Sequence, residues 1–182
     1  MKKITYILIG ILTAAGLHAH SDAFQPAFVD TLVRPYLKIQ ATLANDDLAA
    51  ARNAADVYLE AMEKAPGGKA AEESADLRIP AAELSSAADL DAARTAFAEL
   101  SLNLKLLVKH VGTTDSTALF VARCPMAFEG EGAQWIQTNG NVTNPYYGKA
   151  MLRCGSVTEQ IAGPVESAEQ GHGHGSGHST HH

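Results

Sequence analysis

The chain lacks most of the features that mark a nucleic-acid binder, a membrane-spanning protein or a catalyst. Its 14 Lys+Arg are outnumbered by 20 Asp+Glu, for a formal net charge of −6. No basic cluster appears, which argues against nucleic acid as a partner and against a membrane-surface helix. No apolar run reaches the roughly 20 residues needed to span a bilayer. The two cysteines do not form Cys-x-x-Cys, and no nucleophile elbow, phosphate-cradling glycine loop or His-Glu-x-x-His is present. Cys124 and His110 could be written as a dyad, but nothing supplies an orienting third group or an oxyanion hole. Catalysis is not expected.

Aromatic residues are also scarce, at 6%, while alanine is abundant. Such a composition favours helices packed closely together. Hydrophobic residues at 46% and charged residues at 19% give an ordinary globular balance over 182 residues. That length fits one domain.

Lys2 and Lys3 precede a mostly apolar run from Ile4 to Leu17, and Leu17-His18-Ala19 ends in a small residue. The pattern is that of a secretory signal peptide over residues 1–19. Cleavage would place the mature protein outside the cytosol, in the bacterial periplasm, where thiols oxidise. His20 would then be the new amino terminus, an incidental residue or a Cu(II) chelator.

In residues 27–44, Phe28, Leu32, Tyr36, Ile39 and Leu43 step at helical intervals, with Pro35 expected to kink the helix or mark its start. Asn45-Asp46-Asp47 is a capping cluster before a second helix from Asp47 to Ala65, with Leu48, Ala51, Ala55, Leu59 and Met62 inward. Residues 67–79 show no clear period and read as a connector. A long helix is expected to begin between Pro80 and Asp89. Its Leu90, Ala93, Phe97, Leu100, Leu104, Leu107 and Val111 form a heptad seam, the strongest periodic signal in the chain. Ala118–Ala122 and Ala133–Gln137 read as short strands, and Asn144-Pro145 as a turn opening a short helix through Arg153, capped by Gly155. The fold class expected is mainly α: an antiparallel three- to four-helix bundle over residues 24–162 with a small β-hairpin and short-helix cap. Residues 163–182 form a low-complexity His-rich tail, expected to be disordered.

The chemistry-bearing residues lie in that cap. Each cysteine has a methionine nearby, in Cys124-Pro125-Met126 and Met151-Leu152-Arg153-Cys154. Thiolates and thioethers suit Cu(I) or Ag(I) better than hard cations, and a helical i,i+3 spacing would put Met151 and Cys154 on one face. The alternative is a Cys124–Cys154 disulfide with both methionines as filler, closing a loop worth about 3–4 kcal/mol. Two cysteines in an oxidising compartment ordinarily pair. Trp135, Tyr146 and Tyr147 read as packing groups.

The strings Cys124-Pro-Met-Ala-Phe, Trp135-Ile-Gln, Asn144-Pro-Tyr-Tyr-Gly and Met151-Leu-Arg-Cys154-Gly, with Asp46-Asp47 and Phe97-Ala-Glu-Leu-Ser101 upstream, resemble a domain-of-unknown-function family. The likeness covers roughly residues 27–160. That family occurs as stand-alone secreted proteins and fused to the C-terminus of Cus-type periplasmic adaptors of heavy-metal efflux pumps. The resemblance implies a metal-efflux context, with an adaptor or pump as partner and Cys124, Met126, Met151 and Cys154 as candidate ligands. It places soft-metal binding ahead of a purely structural disulfide.

The tail holds His172, His174, His178, His181 and His182. Interrupted by Gly, Ser and Thr, it is unlike an expression tag, and its imidazoles suit loose binding of Cu(II), Zn(II) or Ni(II). His110 ends the long helix, where a cation favours the dipole.

Overall fold

The computed structural model describes residues 24–65 and 74–164. The expected signal peptide, His20 and the His-rich tail lie outside the described residues. Among these residues four helices come first: α1 (Pro26–Ala44), α2 (Leu48–Met62), α3 (Ala75–Ser85) and α4 (Leu90–Val111). Three strands follow, β1 (Leu119–Cys124), β2 (Ala133–Gln137) and β3 (Ser156–Ala162). The architecture is a helical bundle with a small C-terminal β cap. Among the described residues, no helix is long and apolar enough to cross a membrane.

Chain chemistry sets the helix ends. Asp47 caps α2 by accepting the Ala50 N–H at 3.0 Å, and Asp89 caps α4 by accepting the Ala92 N–H at 2.8 Å. Each satisfies a donor that the first helical turn leaves without a partner. Gly112, at φ 85°, ends α4. Pro35 lies inside α1 and marks neither end of it; the helix begins at Pro26.

The segment read as a connector is where the sequence expectation fails. Residues 75–79 belong to α3, and Pro80 sits within that helix rather than before the long one. A proline inside a helix orphans the carbonyl four residues back. Here that carbonyl belongs to Asp76, and the Asn103 side-chain amide of α4 donates to it at 2.7 Å. A partner 27 residues away thus permits the proline. Leu77, Ala81 and Leu84 are buried at i, i+4 and i+7.

The helices pack in ring order: α1 on α2, α2 on α3, α3 on α4, and α4 back on α1. The heptad seam supplies the centre. Ala93, Phe97, Leu100 and Leu104 are fully buried, while Leu90, Leu107 and Val111 are partly so. Leu32, Tyr36, Ile39 and Leu43 of α1 face them, with Tyr36 stacked on Phe97 at 5.1 Å. In α2, Ala51, Ala55 and Met62 point inward as expected. Tyr58 is buried beside them and was not anticipated.

The sheet has the order β2-β1-β3, antiparallel throughout, rather than a two-stranded hairpin. Phe120 pairs with Gln137 and Cys124 with Ala133 across β1 and β2. The sheet meets the bundle mainly through β2 against α4 and α1. The Tyr36 hydroxyl joins all three elements: it accepts the Ile136 N–H at 3.0 Å and bonds the Ser101 hydroxyl at 2.7 Å. β3 is an edge strand with no fully buried residue, so no apolar run marks it. A Lys109–Glu159 ion pair of 2.7 Å ties it to α4.

Leu100 has no exposed surface. Leu100→Ala should cost about 2–5 kcal/mol by leaving a cavity. Leu100→Asp should abolish folding, because it buries an unpaired charge. Thermal melts by circular dichroism check both.

Candidate functional site in the cysteine-bearing cap

Cys124 ends the central strand β1 and is fully buried; Cys154 lies in the loop entering β3 and is half-buried. Their sulfurs stand 3.0 Å apart although 30 residues separate them, and both are free thiols. The short helix expected from Asn144 to Arg153 is not formed. Only a 3-10 turn at Gly148–Ala150 appears, because the loop closes on itself: the Asn144 N–H donates to Leu152 O at 2.8 Å. The Met151–Cys154 spacing is realised as a turn, with the Cys154 N–H donating to Met151 O at 3.0 Å. Gly155 caps no helix. At φ 123° it lets the chain pass β1 so closely that a Cβ there would lie 2.6 Å from the Arg123 carbonyl oxygen.

Asn144 organises this loop. It is fully buried, its side-chain amide donates to Cys154 O at 2.8 Å, and its Oδ1 accepts the Tyr146 and Tyr147 N–H groups at 2.8 and 3.1 Å. The two tyrosines then reach the other arm. Tyr146 OH donates to Gln134 O at 2.5 Å and Tyr147 OH donates to Met126 O at 2.6 Å. Tyr147 thereby links the Cys124-Pro125-Met126 arm to the Asn144 loop. Trp135 and Tyr146 meet edge to face at 5.8 Å, in the packing role the sequence suggested.

A second tie anchors the loop to the bundle. Arg94 of α4 donates to Asp46 Oδ1 at 2.6 Å and to Pro145 O at 2.9 Å, and Asp46 Oδ2 accepts the Lys149 N–H at 3.1 Å. Gly148 permits this approach. Its φ is 54°, and a Cβ would fall 1.7 Å from Asp46 Oδ1. Asp46 lies in the expected capping cluster, and Arg94 carries no motif of its own. Asn45 closes α1, its amide donating to Ala41 O at 2.8 Å, and Asp47 caps α2, while Asp46, at φ 58°, turns toward the loop.

Of the four candidate ligands, the fold brings the two thiols together. Met126 and Met151 are 55% and 38% exposed, so neither is core filler. No group of three or more His, Cys, Asp or Glu with metal-binding geometry occurs among the described residues. A cation here would therefore depend on sulfur. The Cys154 thiol is pushed up, first by its hydrogen bond with Cys124, then by burial and by the Cys124 charge. Cys154 thus keeps its proton to higher pH, and metal binding there must release it. His110 turns its Nδ1 to Leu106 O at 2.8 Å, within its own helix.

Burial disfavours the charged Asp46 carboxylate, but the Lys149 N–H and Arg94 outweigh it, and its pKa lies below the ordinary value of 3.8. A carboxyl with a lowered folded pKa contributes stability above its unfolded pKa and loses it as pH falls through the folded value. Asp46→Asn should therefore lower the melting temperature at neutral pH. The gap from wild type should close as pH falls below about 4. Melting curves of both proteins from pH 7 to 2.5 check this.

Residues 32–116 match a family described as "Protein of unknown function (DUF3347)". The match runs from within α1 to just beyond α4 and ends before β1, so the cysteine-bearing cap lies outside it. Among curated proteins and solved structures, none matches.

Proposed function

We propose that this protein binds a soft monovalent cation, Cu(I) or Ag(I), through Cys124 and Cys154, with Met126 and Met151 as thioether donors. The observation that carries the reading is the convergence of two thiols on separate arms, 3.0 Å apart and joined through Asn144 and Tyr147. Two thiolates on one cation form a soft-donor set that hard cations do not favour. The exposed thioethers stand on the same short arms, within three residues of each thiol. Capture would exchange two thiol protons for the metal, and release would proceed by ligand exchange; no catalytic step is needed.

The signal-like amino terminus supports export to the periplasm, and the resemblance to domains fused to Cus-type adaptors supports an efflux adaptor or pump as partner. The tail histidines would add weaker Cu(II) or Zn(II) binding. A second reading draws on the full burial of Cys124. Sheltered in this way, the pair would serve as a disulfide staple in a module that docks on an adaptor without metal.

The test is Cu(I) competition against a chelator, on reduced protein lacking residues 171–182. The expected stoichiometry is about one equivalent, nearly abolished by Cys124→Ser or Cys154→Ser and only weakened by Met126→Leu or Met151→Leu. Less than about a tenth of an equivalent would remove the metal site and leave the staple.

A further inference from the structure

The two sulfurs of the cap are chemically unequal, and the inequality is built into the fold. Cys124 lies at the end of the central strand with no exposed surface, in the same core cluster as Trp135 and Tyr146. Cys154 sits in the loop before the edge strand and is half-buried, between exposed Arg153 and half-buried Gly155. We propose that Cys154 is the point of attack for thiol–disulfide exchange at this pair, with Cys124 as its sheltered partner.

The exchange proceeds from the oxidised pair and a dithiol reductant. A thiolate of the reductant attacks Cys154 Sγ. A new S–S bond forms there, the Cys124–Cys154 bond breaks, and Cys124 departs as a thiolate that takes a proton from solvent. The second thiolate of the reductant then attacks its own sulfur in the mixed disulfide and releases Cys154. Two electrons pass to the pair, and the reductant ends as a disulfide. Attack in the other order would need the nucleophile in line with a sulfur that the core covers. In the reverse direction, an oxidised partner meets Cys154 first for the same reason. The order of attack does not depend on metal binding, so a failure of one leaves the other standing.

The test uses the full chain, oxidised with diamide, then exposed to reduced glutathione and quenched in acid. Peptide mass mapping locates the mixed disulfide. The expected result is modification at Cys154 at least about tenfold over Cys124. In separate chains, Cys124→Ala should accumulate glutathione at Cys154 from oxidised glutathione. Cys154→Ala should take it up at Cys124 at least about tenfold more slowly. The wild-type mapping needs no substitution, so a variant that fails to fold does not affect it. Equal or faster reaction at Cys124 would overturn the proposal. So would a pair that stays oxidised for hours in glutathione yet is reduced at once in urea.

Discussion

The cap depends on one buried amide. Loop 144–154 has little regular structure, so its backbone groups find few partners in a helix or a sheet ladder. A buried polar group left without a partner costs about 1–3 kcal/mol. Asn144 meets much of this need from one position, taking two N–H groups on its Oδ1 and giving its amide to the carbonyl of Cys154. Asparagine is suited to the task because its short side chain both donates and accepts. Aspartate at the same place would have no proton for the Cys154 carbonyl.

That loop in turn rests on the helices. The Asp46–Arg94 pair and the Arg94 contact with Pro145 fix it to the α1–α2 turn and to α4, while Tyr36 holds β2 against the same two helices. An exposed ion pair would contribute little. This one is largely sheltered on the arginine side, at 13% exposure, and is joined by backbone bonds. The heptad seam places Arg94 one residue beyond buried Ala93, which turns it from the core toward the loop. The helical scaffold and the thiol site are thus one packing problem.

The seam of α4 and the cap at Asp47 were legible because each depends on neighbours within a few turns. α3 was not, because the device that admits Pro80 is the Asn103 side chain on another helix. β3 was not, because an edge strand with half-exposed residues carries no apolar alternation and takes its bonds from β1. At the site, the sulfur-bearing residues were visible as a motif, and their two readings stayed open because spacing alone cannot bring residues 30 apart together. Asn-Pro signalled a turn at 144, but its contacts ten residues onward, and the turning of Asp46 toward Gly148, exist only in the folded chain.

The central claim is that the Asn144 network brings the two sulfurs together before any bond joins them. Their effective concentration measures this directly. The disulfide equilibrium of the pair is read against glutathione redox buffers, in wild type and in Asn144→Ala, with helical circular dichroism as a control. The expected result is a fall of at least about tenfold in effective concentration with the helical signal retained. An unchanged equilibrium constant would contradict the account, because the arms would then meet without the amide that is said to join them.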